Sequence, residues 1–328
     1  MRLFNRLLLI ATLLAFAVIA LGAYVRLSHA GLGCPDWPGC YGHLLGVPEA
    51  SHEQLAANQA YPERPVESAK AWKEMIHRYF AGMLGLLILA LFLLSWRKTL
   101  RRQQSPALPT ALLVIVSLQA ALGMWTVTLL LKPVIVTLHL LGGMTTLALL
   151  IALTLKSKSS LRSGQPAPNL RLPAAIALLA VILQIALGGW VSSNYAALAC
   201  SDFPLCQKSL LPNMDFGHAF NLNRALGQGA DGKLLSLEAL TAIHWSHRLG
   251  ALVVLISVGA LAMGLLRSGE KTHGGILVGL LAVQILLGIG NVMLSLPLPL
   301  AVAHNIGAAF LLSLIVVINI RMVMLRSR

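Results

Sequence analysis

The sequence predicts an all-α integral membrane protein: eight transmembrane helices forming two parallel-repeat four-helix bundles, with the N and C termini cytoplasmic. Three observations predict it. The 328 residues are 57% hydrophobic and only 11% charged, with a mean hydropathy of +0.78, whereas globular domains carry about 25% charged residues. The apolar residues gather into runs of roughly 20, the length that crosses a bilayer core. The two halves of the chain also repeat each other's spacings.

The runs fall at about 5–25, 75–96, 107–130, 134–155, 172–192, 241–266, 274–295 and 300–320. The first follows Arg2 and Arg6 but is too long for a signal-peptide core, and no A-x-A-like site follows it, so a retained helix is expected. Basic residues mark alternate connections: Arg97, Lys98, Arg101 and Arg102; Lys156, Lys158, Arg162 and Arg171; Arg267 and Lys271; then Arg321, Arg326 and Arg328. The opposite connections mix signs, as in Asp36, Glu49, Glu53, Glu63 and Glu67 against Arg64, Lys70 and Lys73. The positive-inside rule places both termini in the cytoplasm. A net charge of +14 would by itself suit a nucleic-acid partner. The clustering of basic residues in short loops on one side assigns it to membrane topology instead, and no nucleic-acid partner is expected.

The repeat is explicit. Leu21-Gly22-Ala23-Tyr24-Val25 precedes Cys34 and Cys40 as Leu187-Gly188-Gly189-Trp190-Val191 precedes Cys200 and Cys206, with the same offsets. His77-Arg78 matches His247-Arg248. Gln119-x2-Leu-Gly123 leads to His139 as Gln284-x2-Leu-Gly288 leads to His304. An even number of spans per half makes the repeat parallel. The chain then divides at 1–160 and 161–328, each part a bundle able to hold a cofactor among its helices. Gly22, Gly123, Gly188 and Gly288 recur where small residues would permit close helix packing.

His77, His139, His247 and His304 each lie within the first turns of a different run, near its outer end. An ionisable group inside a span is costly and needs a partner or a task. One such histidine reads equally well as a hydrogen-bonded structural residue; four at corresponding positions point to two bis-histidine sites. Haem is the leading occupant, because neutral imidazole is a usual axial ligand to its iron. Zinc fits less well, since no cysteine or carboxylate clusters with them at zinc spacing.

Other residues carry two readings each. Arg78 and Arg248 either snorkel to the interface or pair with haem propionates. Glu74 shares a helix face with His77, and His244 stands at its place in the second half. It is either an exposed first-turn glutamate favoured by the helix dipole or a general base or charge stabiliser acting on a substrate. Cys34/Cys40 and Cys200/Cys206 lie in outward loops, where disulfides are the default. Each C-x5-C pair is a loop staple, with a redox role for Cys34/Cys40 as the second reading; neither is a thioredoxin or haem-attachment motif. His29, His43, His52, His218 and His273 fall in loops and are unassigned. Segments 49–73 and 207–237 read as polar loops with room for short surface helices.

At Val25-Arg26-Leu27-Ser28, Gly31-Leu32-Gly33-Cys34-Pro35-Asp36-Trp37-Pro38, Glu74-Met75-Ile76-His77-Arg78, His139, Trp245-Ser246-His247-Arg248 and His304 the chain resembles the haem A synthase family. The resemblance covers all eight runs. It implies oxidation of a ring methyl of haem O to a formyl group, with oxygen from water, giving haem A for cytochrome oxidase assembly. It implies that His77 and His139 hold the substrate haem O, that His247 and His304 hold a haem b that passes electrons, and that Glu74 is the family's essential glutamate. The first-loop cysteine pair also matches, although its spacing varies among members. The implied setting is the bacterial inner membrane, with the active site near the periplasmic face. Haem O synthase (protohaem farnesyltransferase) and a membrane electron acceptor are the expected partners, and a homo-oligomer is left open.

Two rivals stand beside this reading. A dihaem b-type electron-transfer protein, akin to a quinone oxidoreductase, accounts for four histidines but not for a glutamate in one half only. A repeat-built transporter would place polar groups at mid-membrane, where this sequence is apolar.

Overall fold

The computed structural model describes residues 1–102, 105–157, 168–228, 232 and 234–324, and among these it is all-helical apart from isolated bridges in the loops. The long helices are α1 (Arg2–Leu27), α3 (Ser68–Ser95), α5 (Ala107–Thr128), α6 (Pro133–Ser157), α7 (Arg171–Ser193), α9 (Leu237–Arg267), α10 (Lys271–Met293) and α11 (Leu298–Met324). Three short helices lie in the connections: α2 (Ser51–Ala60), α4 (Lys98–Arg101) and α8 (Phe216–Ala219). All eight long helices are long and apolar enough to cross a membrane, in agreement with the eight runs. Of the basic residues that mark the inner connections, Lys158, Arg162, Arg326 and Arg328 lie outside the described residues, as does the boundary at 160/161.

Helix ends follow local chemistry. Pro133 opens α6, where a missing N–H costs nothing, and the Ser236 hydroxyl caps α9 by accepting from the Ala239 N–H at 3.2 Å. Four long helices end in left-handed, non-glycine residues at tight turns: His29 after α1, Leu130 and Leu131 after α5, Tyr195 after α7, and Ser295 and Leu296 after α10.

Two helices begin earlier than their apolar runs. α3 starts at Ser68 and α9 at Leu237, because the long preceding loops cover their polar turns and bury Ala71, Glu74 and Met75 in one and Ala242, Ile243 and His244 in the other. His77 and His247 therefore lie about three turns into their helices, not in the first turns as expected; His139 and His304 lie about two turns in. The placing of the unassigned histidines in loops is also corrected for three of them. His52 belongs to α2, His218 to α8 beside its capping Asp215, and His273 to the first turn of α10, where it contacts Glu270 and Arg321.

Helices α1 and α5 each pack against α3 and α6; α7 and α10 each pack against α9 and α11. α3 and α6 thus stand at opposite corners of a ring of four helices, as do α9 and α11. The rings touch where α6 meets α7 and α11, and where α1 meets α11. Phe16 stacks on Phe310 at 4.8 Å there. Near the outer end Arg26 donates to the Tyr195 hydroxyl at 2.8 Å and to the Ser192 carbonyl at 2.7 Å. One dry core, including Leu8, Ile88, Leu147, Val258 and Ile315, joins both rings over much of their length. Two smaller clusters form under the outer loops, one around Cys34, Tyr41, Ala71 and Met75 and the other around Trp190, Ala219 and Ile243. Outward faces carry exposed Leu13, Leu86, Leu118, Leu183 and Ile256, a surface suited to lipid rather than water.

Candidate functional site

Each candidate histidine lies over a glycine on the long helix before its own. A Cβ built on Gly22 would stand 3.0 Å from His77 Cε1, and one on Gly123 3.4 Å from His139 Cε1. The distances are 3.1 Å for Gly188 and His247, and 3.2 Å for Gly288 and His304. All four are closer than the ordinary carbon–carbon contact of about 3.5–4.0 Å. The glycines expected to allow close helix packing serve as berths for the imidazole rings.

The rings are half-buried, and they pair across each helix ring. His77 on α3 and His139 on α6 stand on opposite corners of one ring of helices, and His247 on α9 and His304 on α11 on opposite corners of the other. In all four, Nδ1 is buried with no hydrogen-bond partner. A buried polar nitrogen without a partner is costly, and four in equivalent places are not packing residue. Neutral imidazole in facing pairs, inside apolar helices, is a donor set that fits a haem iron. Each sequence-predicted pair therefore falls within one ring of helices, and neutral imidazole suits the group expected there.

Above His77 the first loop is bolted to α3. Gly33 presses on the first turn: a Cβ there would stand 2.6 Å from the Lys70 carbonyl carbon and oxygen. The next residue, Cys34, donates its N–H to Glu74 Oε2 at 3.1 Å, and Arg78 Nη2 pairs with Glu74 Oε1 at 2.6 Å. Arg78 Nη1 donates to the carbonyls of Asp36 at 3.0 Å, Pro38 at 3.2 Å and Gly39. The Asp36 carboxylate receives the Tyr41 and Gly42 N–H groups at 2.6 and 2.7 Å, and a Cys34–Cys40 disulfide closes the turn. Glu74 is 5% exposed, so the reading of it as an exposed first-turn glutamate does not hold. Nearby, Tyr41 donates to the Arg64 and Pro65 carbonyls, and burial pushes its phenol above the usual tyrosine value.

The second loop repeats the plan around a different side chain. The Cys200 N–H faces His244 Nδ1 at 3.3 Å, and Arg248 Nε stands 3.2 Å from His244 Nε2. A neutral imidazole can accept at only one of these nitrogens. Arg248 also donates to the Leu205 carbonyl at 2.7 Å and the Cys200 carbonyl at 2.8 Å. The Asp202 carboxylate receives the Gln207 and Lys208 N–H groups, and Cys200–Cys206 is bonded. Both cysteine pairs are thus disulfides that close loops lying on α3 and α9.

Sequence reasoning missed several contributors. Asp36 and Asp202 cap the loop turns, and the signal was their shared offset of two from the preceding cysteine. The amides of Gln184 and Gln284 donate to the main-chain carbonyls of His247 and His304 at 2.9 and 3.0 Å. Gln119 and Gln284 had entered only as markers of spacing.

Comparison with known proteins adds identity to this geometry. Residues 5–316 match the COX15-CtaA family of cytochrome oxidase assembly proteins. The chain is 44% identical over 318 residues to a haem A synthase of Shewanella oneidensis, covering 96% of this chain and 94% of that protein. A haem A synthase of a Chelativorans species is 30% identical over 90% of this chain and 84% of its own length. One from a Caulobacter species is 27% identical over 93% and 92%. With the family matched along nearly its whole length, this chain belongs to the COX15-CtaA cytochrome oxidase assembly proteins.

Proposed function

We propose that this protein is a haem A synthase, an oxidoreductase that converts the ring methyl of haem O to the formyl group of haem A for cytochrome oxidase assembly. The observation that carries the reading is the set of four half-buried imidazoles at equivalent berths, under a family match over residues 5–316. Its bulk is a multi-pass membrane protein. In the finer reading, residues 1–160 and 161–328 are parallel-repeat four-helix bundles with cytoplasmic termini. The protein sits in the bacterial inner membrane with its site towards the periplasm, as the basic inner loops and the two disulfides support.

His77 and His139 would hold the substrate haem O. His247 and His304 would hold a haem b, which supplies one-electron relay between the site and a membrane acceptor. The difference between the halves favours this order, because only the first carries a buried carboxylate one turn before its ligand.

The chemistry asks little of the protein beyond position and charge. A ring methyl has no acidic proton, so electrons must leave through the substrate's own macrocycle. Two rounds of two-electron oxidation, with water as the oxygen source, give a geminal diol that loses water to the aldehyde. The protons go to bulk solvent and the electrons to the acceptor. Glu74 would stabilise positive charge at the reacting carbon or take a proton from the attacking water. Arg78 holds that carboxylate in place, and the disulfide-closed loop shields it. Haem O synthase is the expected source of substrate, and self-association of the protein is compatible with the reading.

The test is to purify the protein from cells that also make haem O and identify the extracted haems. Haem B together with haem O or haem A supports the synthase. Haem B alone overturns it in favour of a dihaem electron-transfer protein.

A further inference from the structure

Three of the four histidine berths share a second contact, and the fourth lacks both of its halves. One turn before the berth glycine stands a glutamine, and three residues after the histidine stands another glycine. Gln119 lies over Gly142, Gln184 over Gly250 and Gln284 over Gly307, so closely that a Cβ on any of these glycines would overlap the amide. The second-half glutamines also donate to the main-chain carbonyl of the histidine they neighbour. At the His77 berth the same two positions are Val18 and Phe80. Both members of the clasp are missing together, and Phe80 is 36% exposed.

A clasp of this kind resists rotation and sliding of the ligand helix. In the second half the glutamine also bonds the backbone at the histidine itself, and at all three clasps the facing glycine lets the helices approach until the amide fills the gap. An amide hydrogen bond of this type is worth about 1 kcal/mol net. Valine opposite phenylalanine offers apolar contact but no amide bond, so at this berth α3 lacks the clasp of the other three, and its fixed contacts are those of Glu74 and Arg78 with the first loop.

We infer that the glutamine–glycine clasps set how long each site keeps its haem, and that His77, the unclasped ligand, is the one that yields when the first site takes up substrate and releases product. The inference rests on the proposed function and deepens it. Gln184 and Gln284 are then positioning residues for a resident group. In the first site Gln119 keeps His139 fixed while His77 moves.

The experiment loads purified full-length protein with haem B as the probe at both sites and follows its transfer to an excess of a high-affinity haem-binding acceptor. The low-spin bis-histidine spectrum is recorded throughout. The unmodified protein should release one haem fast and one slowly. The double variant Val18→Gln/Phe80→Gly should slow the fast phase about fivefold or more. Gln284→Val should speed the slow phase by a similar factor while both haems still bind as low-spin species. Gln284→Glu, which keeps size but alters the donor, should fall between. Equal release rates from the two sites of the unmodified protein would overturn the inference. So would a fast phase unmoved by the double variant, or a slow phase unmoved by Gln284→Val. If the double variant fails to fold, the Gln284 series decides alone. Binding of only one haem per chain would instead count against the proposed function, so the two failures are told apart.

Discussion

The two loop clusters are built to one plan and differ in one charge. In the first, Glu74 takes the Cys34 N–H and pairs with Arg78; in the second, His244 meets the Cys200 N–H and stands beside Arg248. Each arginine donates to carbonyls of its own loop, each loop is closed by a disulfide, and each has an aspartate capping the turn. Since the second loop docks on His244 and Arg248 with no carboxylate, docking does not require the negative charge of Glu74. That charge is available for chemistry at the neighbouring His77/His139 pair.

Three perturbations sharpen or break this comparison. The largest effect is expected from Glu74→Gln, which keeps the Cys34 contact and removes the charge. Haem A formation should drop about 10³-fold, the scale of losing an acid–base group, while haem content and the bis-histidine spectrum persist. Extracted haem assayed by chromatography reads it, and normal haem A output would remove Glu74 from the mechanism.

A smaller contrast is expected between the arginines. Arg78→Ala leaves the buried Glu74 carboxylate without its cation, a loss of about 3 kcal/mol or more, and frees three loop carbonyls. Arg248→Ala deprives a neutral imidazole of one donor, a loss of about 1 kcal/mol. Hydrogen exchange should therefore quicken far more in the loop at 33–42 than in that at 199–208. Equal responses would mean that the two clusters do not differ in charge as described.

The smallest effect concerns Asp202, whose carboxyl is held below its ordinary value of 3.8 by the N–H groups of Lys208 and Gln207. A depressed carboxylate contributes stability above its unfolded value and loses it as pH falls through the folded one. Protection of the Gln207 and Lys208 amides, taken relative to their intrinsic exchange rates at each pH, should be flat from neutrality to about pH 4, and exchange above the intrinsic trend should rise only below that. Asp202→Asn should abolish the rise. A rise beginning near pH 6 would point to a histidine instead.

Much of the molecule was legible in advance. The eight apolar runs became eight long helices, because helix formation is the only way to satisfy an isolated backbone segment in lipid. Equal offsets in the two halves correspond to equivalent glycine berths for the four histidines, since a repeated spacing on helices repeats a position in space. Legibility failed where polar residues are buried by something distant in sequence. Ser68 to Lys73 read as loop because nothing local shows that residues 33–41 fold back over that helix. For the same reason Glu74 could not be distinguished from a surface glutamate. Gly142, Gly250 and Gly307 carried no local signal, since a glycine in a helix reveals its use only when the facing side chain is known.

The sequence by itself therefore determined the class and the number of spans, which depend on hydrophobicity and periodicity along one chain. Only the tertiary structure decided which glycine berths which ring, that Glu74 is buried against Arg78 and Cys34, and that three ligand helices are clasped while the His77 helix is not. These depend on contacts between side chains tens of residues apart, and such contacts exist only once the helices have packed.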